Sequence, residues 1–119
     1  SDYSNISFQS VNYQQTGSSP LAGITANKAA KIILSAMSSW DTTILDTALY
    51  FYNGDVRDVV KRKYEGLQIV SIGKPTKSGL YPGRFVKCKI ILADGTEETL
   101  NLALRNDNSA EAWLLDGGI

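Results

Sequence analysis

The sequence contains no histidine, and this absence removes several classes of enzyme. Without an imidazole the chain cannot form a Ser-His or Cys-His nucleophile pair, a zinc site with a histidine ligand, or a histidine general base. Its one cysteine, Cys88, excludes an internal disulfide, a CxxC redox pair and a thiolate metal cluster. Because the chain also lacks a glycine-rich loop that could cradle phosphates, we expect no metal and no cofactor.

Long apolar runs and an excess charge of either sign are also missing. No run approaches the about 18 residues that a membrane-spanning helix needs. Twelve basic and twelve acidic side chains cancel. Domains that bind nucleic acid usually carry a clear basic excess, so nucleic acid is not an expected partner. At 119 residues the chain has the size of one domain, and it can bury a core without disulfide or metal.

The first 24 residues differ in composition from the rest of the chain. They are rich in Ser, Asn, Gln and Tyr, and Asp2 is their only charge. Their apolar residues follow no sustained period of 2 or 3.6, and residues 17–20 have the composition of a loop. We interpret residues 1–24 as a polar N-terminal arm or tether and residues 25–119 as one domain. A loosely packed start of that domain is the alternative.

Three helices are predicted at the start of this domain. Apolar residues recur with helical spacing after Thr25, which is a suitable N-cap, and again after Asp41. We expect the second helix to reach Tyr52 and to end at Asn53-Gly54. The third helix is expected to begin with Asp55 as its cap, because Asp is among the residues preferred there.

The apolar period then changes to 2, which predicts four strands and a hairpin. A three-residue loop at 93–95 would pair Cys88 with Leu100. It would also pair Val86 with Leu102, whereas a two-residue loop would set lysines opposite the apolar row. We therefore predict the three-residue loop, with Cys88 buried. The predicted strands are 67–73, 84–93, 96–105 and 110–116.

Together these patterns predict an α+β domain with three N-terminal helices packed on a curved four-stranded antiparallel sheet. The first helix ends in Ser39-Trp40-Asp41, the second reaches Tyr50-Phe51-Tyr52, and the last strand runs into Asp116-Gly117-Gly118. In these features residues 25–119 resemble the nuclear transport factor two-like (cystatin-like) superfamily, and within it small extracytoplasmic bacterial domains of unknown function. The resemblance implies a cone in which the helices close over the concave face of the sheet, often leaving a pocket.

Two groups of residues are candidates for binding. Trp40, Tyr50, Tyr52 and Trp113 would line a pocket inside the cone. The alternative, which general grounds favour, is that each tryptophan packs in the core and that the run 50–52 places one residue in the core and two partly exposed. The sheet face opposite the helices would carry a mixed row that could bind a partner. This row consists of Phe85, Lys87, Lys89, Ile91 and Arg105. A homodimer through this open face, an anionic partner, or a merely solvated surface are the three alternatives there.

We therefore expect a non-catalytic extracytoplasmic module that binds an unknown small molecule or protein partner. The module would be secreted or held at a membrane through an N-terminal anchor. One alternative is a structural subunit of a bacterial envelope assembly for secretion or conjugation. A second alternative is a small-molecule enzyme that uses a tyrosine and a carboxylate within the cone.

Overall fold

Three helices and one four-stranded sheet form residues 19–119, the part of the chain that the structure, a computed structural model, describes. The sheet is antiparallel throughout, has the strand order β1-β2-β3-β4 and does not close into a barrel. The predicted α+β class is confirmed. The elements are α1 (Ala26–Ser39), α2 (Thr42–Ala48), α3 (Asp55–Tyr64), β1 (Gln68–Thr76), β2 (Arg84–Ile91), β3 (Glu97–Arg105) and β4 (Leu114–Gly117).

Side-chain caps start the first two helices, as predicted. The Thr25 hydroxyl accepts the backbone N–H of Lys28 at 3.4 Å. The Asp41 carboxylate accepts the N–H of Thr43 at 3.0 Å. Each bond satisfies a backbone donor that has no partner inside the helix. Between the two helices Trp40 adopts a left-handed backbone with φ 55°, which ends α1.

The second and third helices differ from the prediction at their junction. Helix α2 ends at Ala48 instead of reaching Tyr52. The N-cap of α3 is Gly54 and not Asp55. The backbone of Gly54 has φ 57° and ψ −129°, a conformation that glycine tolerates best. Asp55 falls in the first turn of α3, where its negative charge is favourable to the helix dipole.

The β2–β3 hairpin has the predicted three-residue loop. Cys88 pairs with Leu100, and Val86 pairs with Leu102. The N–H of Gly95 donates to Leu92 at 2.8 Å, and Gly95 takes φ 89°, the left-handed conformation that this loop requires. The hairpin therefore follows from its sequence alone.

The core lies between the helices and the sheet face that we call the inner face. Its strand residues are all buried, at most 6% exposed, and the prediction that Cys88 is buried is confirmed. Alanines of α1 allow the helix backbone to approach the sheet closely, and larger side chains from the same helix fill the remaining space. The inner face consists of Val86, Cys88, Ile90, Leu100, Leu102 and Leu104.

The opposite, outer face is partly covered by the loop between β1 and β2, residues 77–83, which we call the tip loop. Tyr81 of this loop is 1% exposed and packs on Phe85 with ring centroids 4.9 Å apart. Gly83 permits the close approach, since a Cβ there would collide with the backbone oxygen of Leu104. The expectation that Phe85 is open to a partner is therefore wrong, because the chain's own loop buries it to 3% exposure.

The segment before α1 packs on the domain. Leu21 is fully buried, and Ala22 forms an isolated antiparallel bridge with Ala112. Residues 19–24, which composition assigned to the arm, are thus attached to the domain, whereas residues 1–18 lie outside the described residues. Strand β4 begins only at Leu114, because the side chain of Asn108 bonds both the N–H and the C=O of Ala112.

Candidate functional site

The connection between α2 and α3 is held by the guanidinium of Arg57. Its Nε donates to the carbonyl oxygen of Tyr52 and its Nη2 to that of Leu49, both at 2.8 Å. Its Nη1 forms an ion pair with the carboxylate of Asp46 at 2.9 Å. The carbonyl oxygen of Leu49, at the C-terminal cap of α2, has no partner within the helix, and it accepts hydrogen bonds from Arg57 and from the N–H of Tyr52. These contacts hold the conformation of residues 49–54.

The connection and the start of α3 present four exposed apolar side chains, which we call the α2–α3 patch: Tyr50, Phe51, Val56 and Val59. They are 37%, 36%, 53% and 54% exposed, respectively. The rings of Tyr50 and Phe51 meet edge to face with centroids 5.3 Å apart. Val56 and Val59 are three residues apart on α3 and so lie on one side of that helix. Phe51 and Val56 line one groove, so the aromatic run and the third helix meet at one surface.

A shallow groove of about 260 Å³ runs into this patch between Phe51, Tyr52, Val56 and Asp116. Tyr52 forms part of the wall of this groove and also packs against the core. Burial, together with the nearby charge of Asp116, raises the pKa of the Tyr52 hydroxyl to about 12. At neutral pH this hydroxyl is uncharged, and it can donate or accept a hydrogen bond at the edge of the patch.

Asp116, which lines this groove, also belongs to a buried polar network with Tyr81 and Arg105. Its carboxylate accepts a hydrogen bond from the hydroxyl of Tyr81 at 3.1 Å, and the Nη1 of Arg105 lies 3.3 Å away. Nε of Arg105 also donates to Asp107 at 2.7 Å. The side chains of Arg105 and Asp116 are 0% and 2% exposed. The network ties the tip loop to β3 and β4.

This network pairs a tyrosine with a buried carboxylate, as the enzyme hypothesis does, but on the outer face of the sheet and not between the helices and the sheet. Burial, followed by the charge of Asp116, raises the pKa of the Tyr81 hydroxyl, which therefore remains a hydrogen-bond donor. The guanidinium of Arg105 supplies the opposite charge beside the carboxylate. A carboxylate that is buried, paired and hydrogen-bonded in this way is typical of a structural tie.

The four residues predicted to line a pocket do not come together. Trp113 donates its Nε1–H to Ile24 at 2.8 Å, at the start of α1. Trp40 is the C-cap of the same helix, and a helix of this length spans roughly 20 Å. Tyr50 is exposed, whereas Tyr52 is half-buried. Only these two tyrosines belong to the surface around the α2–α3 connection.

The predicted partner-binding row on the outer face is divided by the tip loop. Lys87 and Lys89 are exposed, and Lys89 forms an ion pair with Glu97 at 3.3 Å, while Ile91 is half-buried. Phe85 lies under the tip loop, as described above. The expectation that Arg105 is open is also wrong, because its side chain is 0% exposed. The part of the row that remains open is mostly polar.

Three residues that position these surfaces were not singled out from the sequence as site residues: Arg57, Tyr81 and Asp116. Only Asp116 carried a usable signal, since a carboxylate that follows two buried leucines in a strand requires a buried partner. Tyr81 lies in a turn-rich stretch without periodicity, and Arg57 looks like any exposed helical arginine. Their roles depend on which segments meet in space.

Residues 19–119 contain no group of three His, Cys, Asp or Glu side chains that could hold a metal ion. No helix in the described part of the chain has both the length and the apolar character needed to cross a membrane. Compared with known proteins, the chain matches no family model, no curated protein and no solved structure.

Proposed function

We propose that this chain is a non-catalytic interaction module that binds a protein partner through the α2–α3 patch. The observation that carries the proposal is the exposure of four neighbouring apolar side chains, two aromatic ones on the turn that Arg57 holds in place and two aliphatic ones on α3. Isolated apolar side chains on a surface need no explanation, whereas a joined group often marks an interaction site. Aromatic residues are enriched at the centre of such interfaces.

The surroundings of the patch fit a protein partner better than a small molecule. The exposed charges of Asp55, Asp58 and Arg62 lie close along α3, as in the polar rim of an interface. The groove beside Tyr52, at about 260 Å³, is open and smaller than the roughly 300–1,000 Å³ typical of small-molecule sites. If the partner is another copy or a neighbouring subunit, the module is the structural subunit of the alternative hypothesis.

We also propose that the domain belongs to the nuclear transport factor two-like superfamily and functions outside the cytoplasm. Three helices followed by an antiparallel meander are consistent with this relationship. Register shifts place an extra residue in β1 after Ile72 and in β4 at Asp116, and bulges of this kind bend strands as a cone requires. An experimental structure tests the curvature, and cell fractionation tests the location.

The binding proposal is tested by photocrosslinking from within the patch. When the chain is expressed in its native cells with benzoylphenylalanine in place of Phe51, irradiation should crosslink it to one protein partner. The crosslinked adduct should form one discrete band, heavier than the chain by the mass of that partner. Val56→Ser should weaken that adduct several-fold, because it removes a neighbouring apolar contact that is already half exposed in the free chain. An adduct at twice the mass of the chain would identify the structural-subunit alternative.

A matched control uses the same photoreactive residue at Lys87, which is exposed on the outer face. That position should not give the adduct formed from Phe51. The proposal is wrong if both positions yield the same products, or if Val56→Ser leaves the adduct unchanged. Circular dichroism of the serine variant should match that of the parent chain.

A further inference from the structure

The tip loop carries a leucine, Leu80, whose side chain is almost fully exposed to solvent. Leu80 is 97% exposed, the highest value among the exposed large apolar residues of the described region. The next residue, Tyr81, is almost fully buried and bonded to Asp116. Tyr81 thus attaches the loop to the domain, whereas the side chain of Leu80 points into solvent. This surface is separate from the α2–α3 patch.

Four basic side chains lie in the tip loop or on the two strands that it connects. Lys77 is the first residue of the loop, and Arg84 opens β2 directly after it. Lys74 and Lys87 lie within three residues of the strand ends, or about 10 Å along a strand. None of these four cations takes part in an ion pair of the described residues.

Acidic side chains are missing from this whole stretch. The sequence has no Asp or Glu between Glu65 and Asp94, although the chain as a whole is neutral. Two shallow grooves beside the hairpin repeat the pattern. One includes Lys77 and Arg84 in its walls, the other Lys74 and Lys87, and among residues 19–119 no acidic side chain lines either groove. The four cations therefore form a local positive region, whereas Asp107 and Asp116, the acidic residues near Tyr81, are paired with Arg105.

We propose that the tip loop docks on an anionic lipid surface, with Leu80 entering the acyl boundary and the four cations meeting the headgroups. An apolar side chain at the end of a loop gains by leaving water, and nearby lysines and arginines are attracted to acidic headgroups. A soluble polyanion would use the cations but has no apolar layer for Leu80. The exposure of Leu80 therefore favours a bilayer over a polymer.

Vesicle co-sedimentation of the full chain tests this proposal. Vesicles of phosphatidylcholine with phosphatidylglycerol should bind the chain, and vesicles of phosphatidylcholine alone should bind it much more weakly. Leu80→Ser should lower the partition coefficient at least about tenfold, while Leu80→Met should retain binding. The double variant Lys77→Ala/Lys87→Ala should reduce binding by a similar factor, and added salt should weaken what remains.

Two control variants remove the same kinds of side chain, one aliphatic and one pair of lysines, at positions outside the tip loop. Val70→Ser removes an aliphatic side chain that is 51% exposed on β1. Lys28→Ala/Lys31→Ala removes two exposed cations from α1. Both variants should bind vesicles as the parent chain does. A loss of binding in either control equal to that of its matched variant would overturn the assignment to the tip loop.

The remaining outcomes are equally decisive. Failure to bind anionic vesicles overturns the proposal, as does equal binding to neutral ones. Binding that needs the lysines but is indifferent to Leu80→Ser overturns insertion. If polyphosphate in solution then binds the chain equally well, the surface recognises a polyanion instead of a bilayer. None of these results bears on crosslinking from Phe51.

Discussion

The two faces of the sheet differ in what covers them and in how completely they are covered. The inner face is apolar along its whole length and is covered by the helices, with Leu102 and Cys88 fully buried. The outer face carries buried Phe85 and Arg105 at one end and exposed Lys87 and Lys89 along the middle. A helix layer covers the first, whereas one loop of the same chain covers only part of the second.

The comparison shows that alternation along a strand indicates which face a side chain occupies but not whether that face is covered. Phe85 and Lys87 are two residues apart on the same face, yet Phe85 lies under Tyr81 and Lys87 lies in solvent. Coverage of the outer face depends on the tip loop, whose position rests on Tyr81 and the Arg105–Asp116 pair. The inner face is covered mainly through apolar contacts, with a few polar bonds at its edges, such as that from the hydroxyl of Ser38 to the carbonyl oxygen of Leu67 at 2.7 Å.

The largest effect is expected from breaking the outer-face network. Arg105→Leu leaves the carboxylate of Asp116 buried without its cation, and should lower the free energy of unfolding by about 3–5 kcal/mol in urea denaturation. The double variant Arg105→Leu/Asp116→Leu should lose less, since it leaves no such uncompensated charge. A single variant within about 1 kcal/mol of the parent chain would show that the outer face does not depend on this pair.

A smaller effect is expected on the inner face. Leu102→Ala opens a cavity in the core and should cost about 2–5 kcal/mol in the same assay. Its control is Lys87→Ala on the adjacent strand, which should change the free energy of unfolding by no more than about 0.5 kcal/mol, because that side chain is exposed. Equal losses in the two variants would contradict the division into two faces.

The smallest effect is a pH dependence that arises from the inner face. Burial raises the pKa of the Cys88 thiol from 9.0 to about 11. The unfolded chain loses this proton first as the pH rises, so the stabilisation is complete below pH 9 and is lost between pH 9 and about 11. The slope attributable to the thiol reaches at most about 1.4 kcal/mol per pH unit.

Urea denaturation under reducing conditions measures this slope, and Cys88→Val provides the comparison. The variant should lose the decline that begins near pH 9, while the decline due to Tyr52 persists at higher pH because its pKa is raised to about 12. If the parent chain and Cys88→Val show the same dependence of unfolding free energy on pH, the pKa of the thiol is not raised and the prediction is wrong.

Much of the fold could be predicted from local patterns, whereas most of the candidate surfaces could not. The caps at Thr25 and Asp41 and the hairpin at Gly95 involve residues no more than three apart, so nearby sequence contains all the partners. The α2–α3 patch depends on Arg57 reaching back to Leu49 and Asp46, and no period predicts that contact.

The sequence by itself determined the element types, the hairpin register and the apolar face of the sheet, because periodicity and turn chemistry act over a few residues. It also excluded every chemistry that needs histidine. Only the tertiary structure decided that Phe85 and Arg105 are buried, and that Leu80 is not. These outcomes required the tip loop to meet residues of β3 and β4 that are up to 35 positions away along the chain. Such a meeting follows from the packing of the whole domain, because burial of a side chain is a property of its neighbours in space.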